Sequence, residues 1–326
     1  MKGVKKKIFY VLKVLLTIIF VYLVIAKIGS RDLGNSIKTI RYGFAFALFY
    51  SLVFTLIKAL KWHYLVRQTS GRGSSLGDAL KSYLVGMTGG FLTPGRVGEI
   101  ARTVYLEKHR KSLIVYLVAV DKVFDTAVVL LLALPGVYYF TGVLTAAGVG
   151  IILAALLVGI FFPHYPPRWL NRFLERTGKW ARVRERLALI ENEMESLTMA
   201  FKLKFLGVTL LCYGIVIVEF YWLVNNYHNC RFDVVCLSQP LIMLTNILPV
   251  TIGGLGVREG AAVVLLSSFG IPESTAISSA FMLFLLNTAF PALIGALLIK
   301  SFDQTFTKVW PVKHRQGPPE AKCRRK

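Results

Sequence analysis

The stretch Ile247-Leu-Pro-Val-Thr-Ile-Gly-Gly-Leu-Gly-Val-Arg-Glu-Gly260 decides how this chain is to be read. It sets a proline, four glycines and an adjacent Arg258–Glu259 pair between two apolar runs. In a water-soluble protein that pattern is a turn. The chain, however, has 326 residues, 55% of them hydrophobic, and a mean hydropathy of +0.59. The stretch is therefore expected to be a broken segment at membrane depth. Such a break is tolerated only where the backbone lines a cavity or is buried in protein. An ionisable pair at that depth marks a functional site by default.

Working outward, apolar runs long enough to span recur at 8–28, 42–60, 113–134, 144–162, 205–224 and 276–299. A turn between the third and fourth is expected at Pro135-Gly136. The basic start, residues 1–7, and the absence of a small-residue cleavage site make the first span an uncleaved anchor. The formal charge of +22 would suit a nucleic-acid binder, but its placement excludes that reading. With the amino terminus inside, 29 Lys and Arg fall in inner segments and five in outer loops. Both termini are then cytoplasmic, and the basic loops face anionic inner-leaflet lipids.

A second broken stretch, Gly89-Gly-Phe-Leu-Thr-Pro-Gly-Arg-Val-Gly-Glu99, repeats the residue types of the first. Each has an apolar run, Thr with Pro, glycines, then Arg and Glu close together. The hairpin breakers are Gly89, Gly90, Pro94, Gly95 and Gly98 in one, and Pro249, Gly253, Gly254 and Gly256 in the other. The limbs are too short to cross about 30 Å of hydrocarbon, so re-entrant hairpins are expected at 76–106 and 237–269. By the charge count they enter from opposite sides. Interrupted segments at matching places in two inverted halves point to a transporter's binding site. The plainer reading is two bends in helix packing, but bends alone do not require Arg and Glu.

The residues assigned to a substrate site are Arg96, Glu99, Arg258, Glu259, Asp121 and Asp125. Each would cost about 2.5–3.5 kcal/mol facing lipid at mid-depth, so they must pair or line a wet cavity. Asp121 and Asp125, four apart, share a helix face toward the cavity or toward Arg96 or Arg258. Lys122 points about 100° away, to another partner. Arg96 and Arg258 suit a head-group phosphate, because a planar guanidinium binds it bidentately. Glu99 and Glu259 would orient them, take up a cationic head group or carry a coupling proton. The alternative is that these are self-satisfied ion pairs holding the hairpins together. Glu219 is expected near the outer end of its span, where a solvated interfacial carboxylate is at least as good a reading as a functional one. Asn287 and Pro291 are expected to kink the last span and to bond a neighbour.

The loop 163–204 carries Val183, Leu187, Ile190, Met194, Leu197 and Phe201 at helical spacing, an amphipathic helix on the inner leaflet. A basic tail fills 301–326. Of the cysteines, Cys230 and Cys236 share a loop and read better as free thiols than as a pair. No catalytic set, metal spacing, nucleotide motif or cofactor site emerges, so the chain reads as a transporter rather than an enzyme.

The two broken stretches resemble the signature motifs of the lysylphosphatidylglycerol synthase transmembrane-region family, also described as having a flippase-like domain. The resemblance covers nearly the whole chain. It implies a multi-pass protein of a bacterial or archaeal cell membrane, related to the membrane half of the multiple peptide resistance factor, which moves an aminoacylated lipid between leaflets. The soluble aminoacyl transferase domain of the full-length synthases is not expected here. The chain is thus expected to be an all-α polytopic membrane protein, one domain over 1–300, with about six spans and two inverted re-entrant hairpins. Its expected work is to translocate a phospholipid or polyprenyl-linked head group. The alternatives are a membrane subunit of a lipid-modifying synthase and a non-transporting membrane factor; an oligomer is left open.

Overall fold

A computed structural model describes residues 43–70, 75–106, 111–162, 197–245 and 254–299. The expected first span, most of the long loop, the apex at 246–253 with Pro249 and Gly253, and the basic tail lie outside the described residues. Within them the chain is helical throughout, without strands. In order come α1 (Gly43–Ser70), α2 (Leu76–Leu92), a 3-10 limb (Pro94–Val104), α3 (Lys111–Thr141) and α4 (Val143–Phe161). Then follow α5 (Met199–Tyr227), α6 (Phe232–Leu244), α7 (Val257–Ser267), α8 (Glu273–Phe284), a π turn (Leu285–Ala289) and α9 (Phe290–Leu298).

The bundle is apolar outside and holds charged and polar side chains within its apolar interior. On α1, Phe46, Phe49, Leu52, Leu56 and Leu60 face outward, while Ser51, Lys58 and Lys61 are buried. Leu144 and Ile151 on α4 and Leu297 on α9 are more than two-thirds exposed. Water would reverse that arrangement, and lipid favours it. Three helical stretches, Val143–Phe161, Met199–Tyr227 and Glu273–Leu298, are long and apolar enough to cross a membrane. The protein is a membrane protein.

The turn expected at Pro135-Gly136 is not there. α3 runs on through Pro135 to Thr141. A proline inside a helix removes one hydrogen bond, a loss that a long packed helix absorbs. Gly136 serves proximity instead: a Cβ there would strike the Leu237 carbonyl oxygen of α6. The reversal comes at Gly142, whose φ of 87° is open to glycine and strained for other residues, and which alone separates α3 from α4.

Two boundaries also move inward. α1 continues well past residue 60, burying Trp62, Leu65 and Val66. The helix expected to run through Leu197 to Phe201 is interrupted: Thr198 caps α5, its hydroxyl accepting from the Phe201 N–H at 3.2 Å. Leu197 and Phe201 pack into the core beside Trp62 and Phe124, not on a leaflet. The cysteines Cys212, Cys230 and Cys236 are free thiols.

Two apolar clusters organise the interior. One joins α1, α2, α3, α4 and the start of α5 around Trp62, Phe124 and Phe205. The other joins the rest of α5 with α6, α7 and α8 around Phe220, Leu223 and Ile242. α9 locks onto α2 where Gly295 meets the Leu84 carbonyl, and the Thr88 hydroxyl donates to the Ala292 carbonyl at 2.6 Å. Overpacking at such a contact costs typically 1–3 kcal/mol, and more where both sides are backbone. Gly295→Ala is expected to lower the melting temperature in detergent sharply, whereas Gly159→Ala, with open space around it, leaves it unchanged or raised. Equal melting temperatures would contradict this packing.

Candidate functional site

The first broken stretch forms a hairpin whose limbs touch backbone to backbone. Gly89 and Gly90 do not break α2; both are helical and buried. Chain reversal occurs at Thr93, with ψ of 139°, followed by Pro94 in the first turn of the 3-10 limb. The glycines allow the limb to lie flat on α2. A Cβ at Gly86 would strike Arg102, one at Gly89 the Gly98 carbonyl, and one at Gly90 the Glu99 side chain. Thr93 fastens the turn: its hydroxyl donates to the Gly89 carbonyl at 2.8 Å and accepts the Gly98 N–H at 2.7 Å. Further from the turn, Ser82 donates to the Arg102 carbonyl at 2.8 Å, and the Tyr105 hydroxyl bonds the Leu298 carbonyl.

From this hairpin a chain of alternating charges runs into the bundle. Arg96 Nε lies 3.0 Å from Glu99 Oε1, which Lys122 Nζ also reaches at 2.7 Å. Arg102 bridges Glu99 at 2.8 Å and Asp121 at 3.0 Å. Lys61 bridges Asp121 at 2.8 Å and Asp125 at 2.7 Å, and Lys58 closes on Asp125 at 2.8 Å. Five cations thus share three carboxylates, a surplus of two positive charges. Aromatic faces take up part of it: Arg102 lies between Trp62 and Tyr83, Lys61 over Phe205 and Lys58 over Tyr213.

Sequence reasoning missed three of these cations. Lys58, Lys61 and Arg102 are among the 29 charges that the count assigns to inner segments, but they are 7%, 2% and 2% exposed. The expected partners of Asp121 and Asp125, Arg96 or Arg258, are replaced by these three. Lys122 turns to Glu99, a partner different from theirs, as its helical angle implies. The signal was available: Lys58 and Lys61 are three apart, opposite the outward stripe of Leu52, Leu56 and Leu60.

The second broken stretch supplies the facing wall. Gly254 and Gly256 turn the chain with φ of 75° and 83° into α7. The Gly256 N–H donates to Glu259 Oε2 at 2.6 Å, and Glu259 Oε1 holds Arg258 at 2.6 Å. Arg258 lies over the Phe284 ring at 4.7 Å. Between the stretches is a cavity of about 510 Å³. Of the six expected site residues, Arg96, Glu99, Asp121, Asp125 and Arg258 line it, while Glu259 stands behind as helix cap and partner. Its charged lining comprises Lys58, Arg96, Arg102, Lys122 and Arg258 against three carboxylates. Arg102 Nε and Arg258 Nε are buried donors without an acceptor.

Two further expectations are corrected or completed near this wall. Glu219 is fully buried, not interfacial. Asn287 donates to it at 2.6 Å from within the π turn, and Pro291 follows in the first turn of α9. A proline cannot donate to the carbonyl four residues back and crowds it, and a π turn relieves both faults.

Arg96 carries a φ of 56°, the one positive φ outside glycine among the described residues. Such a conformation costs on the order of 1–3 kcal/mol and persists only where the surrounding structure holds it. Arg96→Gly is expected to be about 1 kcal/mol more stable than Arg96→Ala in denaturant melts, though both lack the side chain. Asp125→Ala leaves Lys58 without its carboxylate and is expected to cost about 3–5 kcal/mol, largely recovered in Lys58→Met/Asp125→Ala. A double mutant no better than Asp125→Ala would disprove the pairing.

Searches of curated proteins and of solved structures find no match. The family model described as Lysylphosphatidylglycerol synthase TM region, by contrast, matches residues 10–295. With both broken stretches inside that range, the chain belongs to the lysylphosphatidylglycerol synthase transmembrane-region family.

Proposed function

We propose that this protein translocates a phosphate-bearing lipid, a phospholipid or a polyprenyl-linked head group, between the leaflets of a bacterial or archaeal cell membrane. The observation that carries the reading is the cationic surplus in the cavity between the two broken stretches, in a bundle whose outside is apolar. Each cation has a carboxylate beside it, but the net charge is positive, and an entering phosphate would offset that excess. The orphan donors of Arg102 and Arg258 are of the kind that a phosphate oxygen accepts from. A lipid's acyl chains can stay in the bilayer while its head group crosses.

The hairpins support the same reading. Helices α2, α6 and α7 have 17, 13 and 11 residues, or roughly 26, 20 and 17 Å, short of about 30 Å of hydrocarbon. Re-entry from opposite sides would give the cavity one wall from each half, the inverted-repeat plan of transporters. The charge count still favours cytoplasmic termini once Lys58, Lys61 and Arg102 are removed from the inner loops. A second reading follows from the family's description: the cavity would present a lipid to a synthase's transferase.

The test is a leaflet-resolved assay in liposomes with head-group-labelled phosphatidylglycerol. Arg258→Ala and Arg96→Ala are each expected to slow its movement roughly ten- to a hundredfold, the loss of one or two charge-assisted bonds. Unchanged rates in both sink the transport reading. Binding retained in the wild type with no movement would favour the second.

A further inference from the structure

The phosphate site leaves the buried carboxyl of Glu219 unused. Glu219 lies on α5, six residues beyond Tyr213, or about 9 Å further along the helix. Its Oε2 accepts from Asn287 Nδ2 at 2.6 Å. Its Oε1 has no hydrogen-bond partner, and neither does Asn287 Oδ1. The carboxylate and the amide thus share one hydrogen bond, and each keeps one oxygen that no donor reaches. An unpaired carboxylate oxygen in an apolar interior is costly.

We propose that Glu219 and Asn287 form a proton-binding site. One proton on Glu219 Oε1, taken from water, supplies the missing donor. That O–H donates to Asn287 Oδ1 while Nδ2 keeps donating to Oε2, and both orphan oxygens are satisfied together. No charge remains in the pair.

Nothing nearby competes for the role. The helices packed on α5 are α1, α3, α4, α6 and α8. Lys58 and Lys61 of α1 are committed to Asp121 and Asp125 of α3, and α4 has no charged residue. Asp233 of α6 pairs with Arg231 at an exposed end, and Glu273 sits in the first turn of α8 with an interaction of its own. Among the described residues Glu219 makes no ion pair.

The site reports to the cavity through Asn287. That residue lies in the π turn, and both it and Thr288 line the cavity wall. The turn is held to α1 by the Ser51 hydroxyl, which donates to the Leu286 carbonyl at 2.7 Å. π turns inside helices are rare and recur at functional sites. Losing the proton removes one of the two bonds that fix Asn287. Proton binding on one side and release on the other would then couple to lipid movement, a role that rests on the transport reading; the proton site itself does not.

The test is infrared difference spectroscopy on the full chain in lipid bilayers, titrated through neutral pH. A protonated carboxyl C=O band is expected that titrates, vanishes in Glu219→Gln and shifts in Asn287→Leu as its partner is lost. Glu219→Gln keeps the shape and the Asn287 bond; if it fails to fold, the Asn287→Leu shift carries the test. A band untouched by either substitution, or removed by adding sodium ions at fixed pH, overturns the proposal. In the liposome assay, Glu219→Gln is expected to flatten the pH dependence of lipid movement. The band present without any lipid movement would sink the transport reading and leave the proton site standing.

Discussion

Charges in a bilayer interior must find one another, and in this protein that constraint falls on Asp121 and Asp125. Each accepts from α1, and Asp121 also takes Arg102 from the 3-10 limb. Through them α1, α3 and the first hairpin are fixed at one depth. The apolar clusters on either side pack what this network positions. Shape alone would let the helices slide, since lipid tails are as apolar as the residues between them. The ion pairs set the register.

That network is also incomplete, and its incompleteness is what makes the cavity interesting. A purely structural ion-pair core would balance its charges, whereas here five cations share three carboxylates. The hairpin geometry carries the same sign of design. Arg96 holds an uncommon backbone conformation, and its side chain, about one-third exposed, still reaches the cavity. On the opposite wall Glu259 spends one oxygen on the Gly256 N–H and the other on Arg258. Arg258 is therefore aimed by a helix cap, a firmer mount than a loop.

Much of this was legible in the residues. Glycine, proline and charge set together in an apolar chain cannot face lipid, and that identified both broken stretches and the cavity between them. The misses have a common cause. Lys58 and Lys61 sit at the end of an apolar run, so hydropathy reads them as loop charges; only Asp121 and Asp125, sixty or more residues on, show that they are interior. Arg102 is hidden the same way behind a short polar limb. Pro135-Gly136 carries the usual signature of a turn, but the glycine answers to a neighbour, Leu237, that no local pattern contains. Glu219 needed Asn287 beside it to become an interior residue.

The pairing of Lys58 with Asp125 has a consequence for how the chain is made. The partners are 67 residues apart, and synthesis at about 5–20 residues per second separates them by roughly 3–13 seconds. During that interval α1 has two lysines and nothing to neutralise them, a cost of about 5–7 kcal/mol at mid-depth. α1 is therefore a poor candidate for release into the bilayer alone. A helix so charged would wait at the insertion machinery, or stay shallow with its lysines reaching for the surface, until α3 emerges. Assembly of the bundle would then be cooperative from α1 onward, with the same carboxylates that set the register deciding when α1 and α3 can enter the bilayer together.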